Sequence, residues 1–173
     1  FTPIYRSHRG RKFEFGHGYS LFTCLLRPHS RGSVKLHKDG ETHQVLIDHN
    51  FLSDSRDEVH IIEAIKKARE LLSSQEFDSV RGDEIAPGKS IQSDEDLLEY
   101  IRHSALTVYH PVGTCKMGID ELAVVSPSDL KVKGMRNLRV IDASIMPNIV
   151  SGNTSAPTMM IAEKGARMIL DKV

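Results

Sequence analysis

The 173-residue chain carries 23 Lys and Arg against 23 Asp and Glu, a formal net charge of zero. This balance argues against binding of nucleic acid by phosphate neutralisation and against a polybasic membrane surface. The hydrophobic fraction of 39% and the charged fraction of 27% are ordinary for a globular protein, so wholesale disorder is not expected.

The apolar stretches, the first residues and the cysteines of the chain indicate where in the cell the protein is expected. No apolar stretch approaches the roughly 18 residues of a membrane span, and residues 1–12 hold no secretory signal. Cys24 and Cys115 lie far apart, so a disulfide framework is not predicted. We expect a cytoplasmic setting, with peripheral membrane association of a larger parent left open. The absence of an initiator Met suggests an excised fragment.

The first part of the chain predicts antiparallel strands. Residues 19–27 are β-rich and largely apolar, which is typical of a buried strand. Residues 33–38 alternate between polar and apolar, and Asp39-Gly40 is a turn signal before a returning strand at 44–48. These segments together predict a meander.

Helical periodicity follows. Ser55 and Glu58 form an S-x-x-E capping box ahead of apolar residues at helical spacing, which predicts a helix over 56–74. A second box, which begins at Ser93, predicts a helix over 94–104.

The C-terminal part mixes both kinds of element. We predict a short strand at 137–142, an irregular segment at 147–157 and a final helix over 157–172. Because the strands come first and the helices follow, the predicted class is α+β.

Metal and nucleotide motifs are weak. The evenly spaced His37, His43 and His49 are interrupted by the Asp39-Gly40 turn, and solvated histidines are the favoured interpretation. A P-loop is absent, and the dinucleotide fingerprint G-x-G-x-x-G fails after Gly16-His17-Gly18 because position 21 is Leu.

Two irregular segments are candidates for chemistry. In TVYHPVGTCKMG (107–118), His110 precedes a proline, which holds it out of helical geometry. It is either a structural histidine or a titratable group beside a ligand. In SGNTSAPT (151–158), Asn153 and Thr154 stand where the final helix presents unpaired N–H groups. They either bind an electron-rich ligand or cap the helix.

Five blocks of the sequence form an ordered set: LLRPHSRGSVKL (25–36), LIDHNFLSD (46–54), TVYHPVGTCKMG (107–118), AVVSPSDLKVKGMRNLRVIDASIMP (123–147) and SGNTSAPTMMIAEKGARMI (151–169). In this order they resemble the C-terminal half of the glucose–methanol–choline (GMC) oxidoreductases. The resemblance is to the choline-dehydrogenase-like and bacterial alcohol-dehydrogenase-like members in particular.

The resemblance implies a fold in two parts. Residues 1–128 would form a portion of the substrate-binding domain, an antiparallel sheet backed by helices. Residues 129–173 would supply a strand and the C-terminal helix that return to the FAD domain. The Rossmann-like N-terminal part would be missing from this chain, so the fragment alone is expected to bind no FAD tightly and to be inactive.

The resemblance also implies roles for individual residues. His110 matches the active-site histidine, and Asn153 matches a second active-site position that is His in some relatives. Asp142 and Ala143 match a segment that passes the FAD ribityl chain and pyrophosphate. Asn153 and Thr154 match the end of the loop beside the flavin pyrimidine ring. No metal is implied.

The implied activity is oxidation of a primary alcohol, with choline as one candidate, by proton abstraction and hydride transfer to FAD. An oxidase that uses O₂, a lyase without net redox and a non-catalytic binding module stay open. The expected partners are a small alcohol, the N-terminal FAD domain and a second copy of the fragment, since a sheet cut from its partner domain exposes apolar surface.

Overall fold

The structure, a computed structural model, describes residues 6–7, 12–13, 17–39 and 41–170. The chain divides into two compact units, each discontinuous in sequence. The first unit comprises Phe1–Leu25 and Phe51–Thr107, and the second comprises Leu26–Asn50 and Val108–Val173. The division into substrate-binding and FAD-domain portions at residue 128 stays a prediction.

The first unit is built around two helices. It contains a short antiparallel pair, β1 (Arg6–Ser7) and β2 (Lys12–Phe13), followed by α1 (Ser55–Leu72) and α2 (Asp94–Ser104). A small core joins the helices, where Ile62 of α1 packs with Leu97 and Ile101 of α2. Both helices were expected from the sequence, to within two residues at either end.

The caps of these helices differ in how well the sequence predicted them. Ser93 caps α2 as expected, since its hydroxyl accepts from the backbone N–H of Asp96 at 3.1 Å. The box assigned to Ser55 is wrong: the N-cap of α1 is Asp54, whose carboxylate accepts from the N–H of Arg56 at 3.0 Å. Asp is an equally good N-cap, so two adjacent candidates could not be ranked from sequence.

The strand predicted over 19–27 is wrong. Only Ser20 makes an isolated bridge, and residues 21–25 have no regular structure. Tyr19 instead packs its ring against that of Phe77, with centroids 5.5 Å apart. Of the apolar residues in this segment, Phe22 and Leu26 are exposed, at 60% and 51%.

The second unit begins with a hairpin, as predicted. β3 (Ser33–Asp39) and β4 (Thr42–Asp48) pair antiparallel, with Val34 opposite Ile47 and Leu36 opposite Val45. Gly40 of the expected turn lies outside the described residues. Successive side chains alternate across a strand, so these four residues share one side, here named the apolar hairpin face.

The apolar hairpin face is exposed, with Leu36 at 74%. Strands and helices are both present, in agreement with the α+β class. The prediction that helices back the sheet is not met at this hairpin, because side chains on both of its sides are largely exposed.

The final helix closes the core of the second unit. α3 (Ser155–Leu170) starts two residues earlier than predicted, and the predicted last residues 171–172 lie outside the described part. The core collects buried side chains from three segments: Val125, Leu130, Ile145, Met146 and Ile161. Gly165 of α3 is buried against Ile141, where a Cβ would lie 2.5 Å from Cγ2.

The strand predicted over 137–142 is also wrong. The segment contributes only an isolated bridge between Arg139 and Lys131. Leu130 and Asn137 adopt φ of 57° and 58°, left-handed conformations that do not belong to a continuous strand. Irregular backbone pairing therefore takes the place of the predicted strand.

Candidate active site

His110 stands at an unusual point of the backbone. The preceding Tyr109 has φ of 63°, which is uncommon for a bulky residue, and Pro111 follows. Left-handed non-glycine residues cost free energy and persist only where surrounding contacts hold them. His110 itself is partly buried. The backbone is therefore irregular both before and after His110.

The segment after His110 is fixed by backbone contacts. The N–H of Cys115 donates to the carbonyl of Ser144 at 3.0 Å, and that of Met117 donates to Ile145 at 2.8 Å. Gly113 has φ of 90°, and a Cβ there would lie 3.3 Å from the Met146 carbonyl oxygen. Glycine therefore suits both the conformation and the close approach.

Asp142 and Ala143, two of the predicted cofactor-binding residues, lie at that same contact. Ala143–Ile145 form a single 3-10 turn, and the Asp142 carboxylate accepts from the N–H of Ser144 at 2.8 Å. Asp142 is exposed and Ala143 is partly buried. Asp142 therefore has a capping role in the fold, beside the cofactor role that the resemblance implies.

The structure brings His110 and Thr154 together across 44 residues of sequence. Nδ1 of His110 and Oγ1 of Thr154 lie 3.0 Å apart in a partly buried hydrogen bond. The Thr154 carbonyl accepts from the N–H of Thr158 at 3.0 Å, so Thr154 occupies the N-cap position of α3. Its hydroxyl contacts His110, which joins the two segments singled out in the sequence.

Asn153 lies beside this contact with an exposed side chain. The next residues, Ser155 and Ala156, are also exposed, so the N-terminal end of α3 is open to solvent. The first N–H groups of a helix have no acceptor within it and carry a partial positive charge. This end suits an electron-rich group such as a flavin ring or a developing alkoxide.

Two arginines near the site were not found from the sequence. Arg27 Nε donates to Ser151 Oγ at 2.8 Å, and Arg31 Nη2 donates to Asn148 Oδ1 at 2.7 Å. Their partners lie 124 and 117 residues along the chain. No local pattern could have signalled these pairs.

Among the residues with described positions, no group of three or more His, Cys, Asp or Glu could hold a metal ion. Over the same residues, no helix is long and apolar enough to cross a membrane. Cys24 and Cys115 are both free thiols.

Comparison with known proteins places the chain in a family. The GMC oxidoreductase profile, which describes the C-terminal domain of these enzymes, matches residues 28–162. The chain belongs to the GMC oxidoreductases. Members of this family are FAD flavoproteins.

Individual relatives agree with the family. An alcohol dehydrogenase [acceptor] of Pseudomonas putida is 47% identical over 173 residues, which is 100% of this chain and 31% of that protein. An oxygen-dependent choline dehydrogenase of Staphylococcus haemolyticus is 41% identical, over 99% of this chain and 31% of its own length. A solved FAD-dependent oxidoreductase from Chaetomium thermophilum superposes with a TM-score of 0.77 at 28% identity, over 85% of this chain and 26% of that one.

The chain thus spans about a third of the length of these relatives. The sequence resemblance to the C-terminal half of the family is confirmed. The roles of His110, Asp142, Ala143, Asn153 and Thr154 stay predictions.

Proposed function

We propose that this chain supplies the substrate side of an active site that oxidises a primary alcohol to the aldehyde, choline being one candidate. The single observation that carries the proposal is the His110–Thr154 hydrogen bond of 3.0 Å. It brings a proton acceptor to the open N-terminal end of a helix, next to an exposed amide.

His110 takes the hydroxyl proton of the alcohol. Nδ1 of His110 contacts Thr154 Oγ1. In the tautomer that carries its hydrogen on Nδ1, the threonine oxygen accepts from Nδ1–H, and the lone pair of Nε2 is then available for that proton. Histidine is the side chain best suited to proton transfer near neutral pH, and such general-base help is worth about 10²–10⁴-fold. Because the imidazole is fixed at Nδ1, little reorientation is needed when the substrate arrives.

Asn153 orients the alcohol. Its amide is a neutral donor and cannot take the proton, but it can hydrogen-bond the oxygen as negative charge builds there. A donor of this kind typically contributes about 2.7–4 kcal/mol to the transition state. The two side chains therefore divide into base and positioner.

The residues present fit FAD at the open end of α3. Asn153 and Thr154 precede the helix, whose first N–H groups can donate to electron-rich atoms, and the turn at Asp142 and Ala143 exposes the Asp142 side chain. Bound FAD would supply the acceptor for the hydride of the alcohol carbon. The chain's own residues bind the alcohol, accept its proton and form the N-terminal end of α3 at the site.

The test is anaerobic reduction of the FAD-loaded complete protein by alcohol, in wild type and in His110→Ala. The expected loss in reduction rate is about 10²–10⁴-fold. His103→Ala is a matched control, since that exposed histidine bonds only to Glu99 of its own helix among the contacts described. A wild-type rate of reduction in His110→Ala would refute the assignment of His110 as the base.

Asn153→Ala separates positioning of the alcohol from binding of the cofactor. We expect slower reduction with FAD still bound in normal amount. Loss of FAD without a specific kinetic defect would show instead that Asn153 serves to bind FAD.

A second candidate is an oxidase that passes the electrons to O₂. The Staphylococcus haemolyticus relative, described as oxygen-dependent, favours it. Steady peroxide release in air with alcohol present would support the oxidase, and reduced enzyme that persists in air would support the dehydrogenase.

A further inference from the structure

The loop that leads to Asn153 is held at two points by arginines from a distant part of the sequence. We name Arg27, Arg31, Asn148 and Ser151 the arginine latch. Each guanidinium donates to one loop side chain, Arg27 to the Ser151 hydroxyl and Arg31 to the Asn148 amide oxygen. The loop between Asn148 and Thr154 is otherwise irregular.

Arg31 is itself firmly placed. Nη1 of its guanidinium lies 2.7, 3.1 and 3.0 Å from the carbonyl oxygens of Pro28, His29 and Ser30, so its two hydrogens are shared among three acceptors. With the Asn148 oxygen on Nη2, four acceptors surround one planar group, an arrangement that a lysine ammonium on a flexible stem does not reproduce. The Arg31 guanidinium therefore binds the backbone of its own segment and the loop at the same time.

The base of the hairpin anchors this segment. The Asn50 amide donates to the Arg31 carbonyl at 2.9 Å, and a Cβ on Gly32 would lie 2.2 Å from the Asp48 carbonyl oxygen. Gly32 thus permits a backbone approach that no other residue allows. Arg31 is tied to a regular two-stranded element rather than to another loop.

Three fixed points then bracket Asn153. Asn148 and Ser151 are held by the latch, and Thr154 is held by His110 at 3.0 Å. Asn153 lies between Ser151 and Thr154 and its side chain is exposed, so its placement depends on the backbone on either side. A misplacement of about 1 Å in an active site can cost about 10²-fold in rate.

We infer that the arginine latch is a positioning device for the reaction: Arg27 and Arg31 hold the 148–151 part of the loop so that Asn153 meets the alcohol. This inference rests on the proposed function. In this proposal Arg27 and Arg31 are positioning residues, which act on the reaction through the loop that they hold. Both arginines are exposed, so their pairs contribute little to global stability and their effect is expected in the kinetics.

The experiment compares Asn148→Ala with Asn148→Asp in the complete, FAD-loaded protein. The alanine removes the acceptor of Arg31, whereas the aspartate keeps an oxygen there. The limiting rate of flavin reduction is expected to fall about tenfold in Asn148→Ala, with FAD content and the alcohol's dissociation constant little changed, and to recover in Asn148→Asp. Ser151→Ala and Ser151→Thr form the same pair for Arg27.

Arg81→Met is the matched control, because Arg81 also binds backbone carbonyls, those of Leu72 and Ser74, but belongs to the other unit. A limiting rate within twofold of wild type in Asn148→Ala would overturn the inference, as would an Asn148→Asp variant as slow as the alanine.

The Asn153→Ala variant serves as a background in which failure of the latch inference can be distinguished from failure of the proposed function. In Asn153→Ala, the further change Asn148→Ala is expected to cost under about twofold, since the residue that it positions is gone. A full tenfold loss there would contradict action through Asn153. A wild-type rate in His110→Ala would refute the base assignment whatever the latch variants do.

Discussion

The hydrogen bond between Thr154 and His110 can be removed with little change of shape by Thr154→Val. The two side chains are both β-branched and of similar size, but the valine offers no oxygen to Nδ1. The lost contact is one neutral, partly buried bond of 3.0 Å. Such bonds contribute about 0.5–1.5 kcal/mol, which corresponds to about a two- to twelvefold slower reduction.

The assay is stopped-flow reduction of the bound flavin by alcohol without oxygen. We expect the rate of Thr154→Val to fall within that range, because the imidazole loses the contact that holds it in place. Thr154→Ser retains the hydroxyl and is expected to stay close to wild type. A wild-type rate for Thr154→Val, or a serine variant as slow as the valine, would refute the reasoning.

Three further predictions concern packing, capping and assembly. Gly165→Ala places a Cβ 2.5 Å from Ile141 Cγ2; this overlap is expected to lower the free energy of unfolding by about 1–3 kcal/mol, offset by about 1 kcal/mol of helix propensity. In an Ile141→Ala background the overlap is gone, so urea unfolding should show no such loss, and an equal loss there would contradict the prediction. Ser93→Ala removes the acceptor of the Asp96 N–H and is expected to cost about 1 kcal/mol in urea unfolding; Ser93→Asn, which restores an acceptor, should recover most of it. The 173-residue chain is expected to self-associate through its apolar hairpin face, and Leu36→Lys should shift its sedimentation towards monomer; a wild-type chain that is monomeric at high concentration would contradict this.

Local signals were enough for the helices and the hairpin. Ser93 and the apolar spacing behind it located α2, and the alternation around Asp39 located β3 and β4. Each of these elements is specified within a few residues by caps, turns or period.

The failures have a common physical cause. The apolar segments 19–27 and 137–142 carry a strand-like composition, yet tertiary contacts decide what they do. Tyr19 packs on Phe77, and Asn137, the first residue of the second segment, adopts a left-handed conformation. Composition reports that a segment is buried or β-prone, not which partner it will find.

The site shows the same limit more sharply. His110 and Thr154 lie 44 residues apart, so no periodicity could bring them together, and only the resemblance of whole sequence blocks pointed to both. The arginine latch, with partners more than a hundred residues away, had no such motif and emerged only from the geometry.

The most direct test of the proposed activity is anaerobic mixing of the complete, FAD-loaded protein with a panel of primary alcohols, choline included, while the flavin absorbance is followed. The account predicts that at least one alcohol class bleaches the flavin, and that His110→Ala slows this bleaching by about 10²–10⁴-fold. A flavin that stays oxidised with every alcohol would contradict alcohol oxidation at this site.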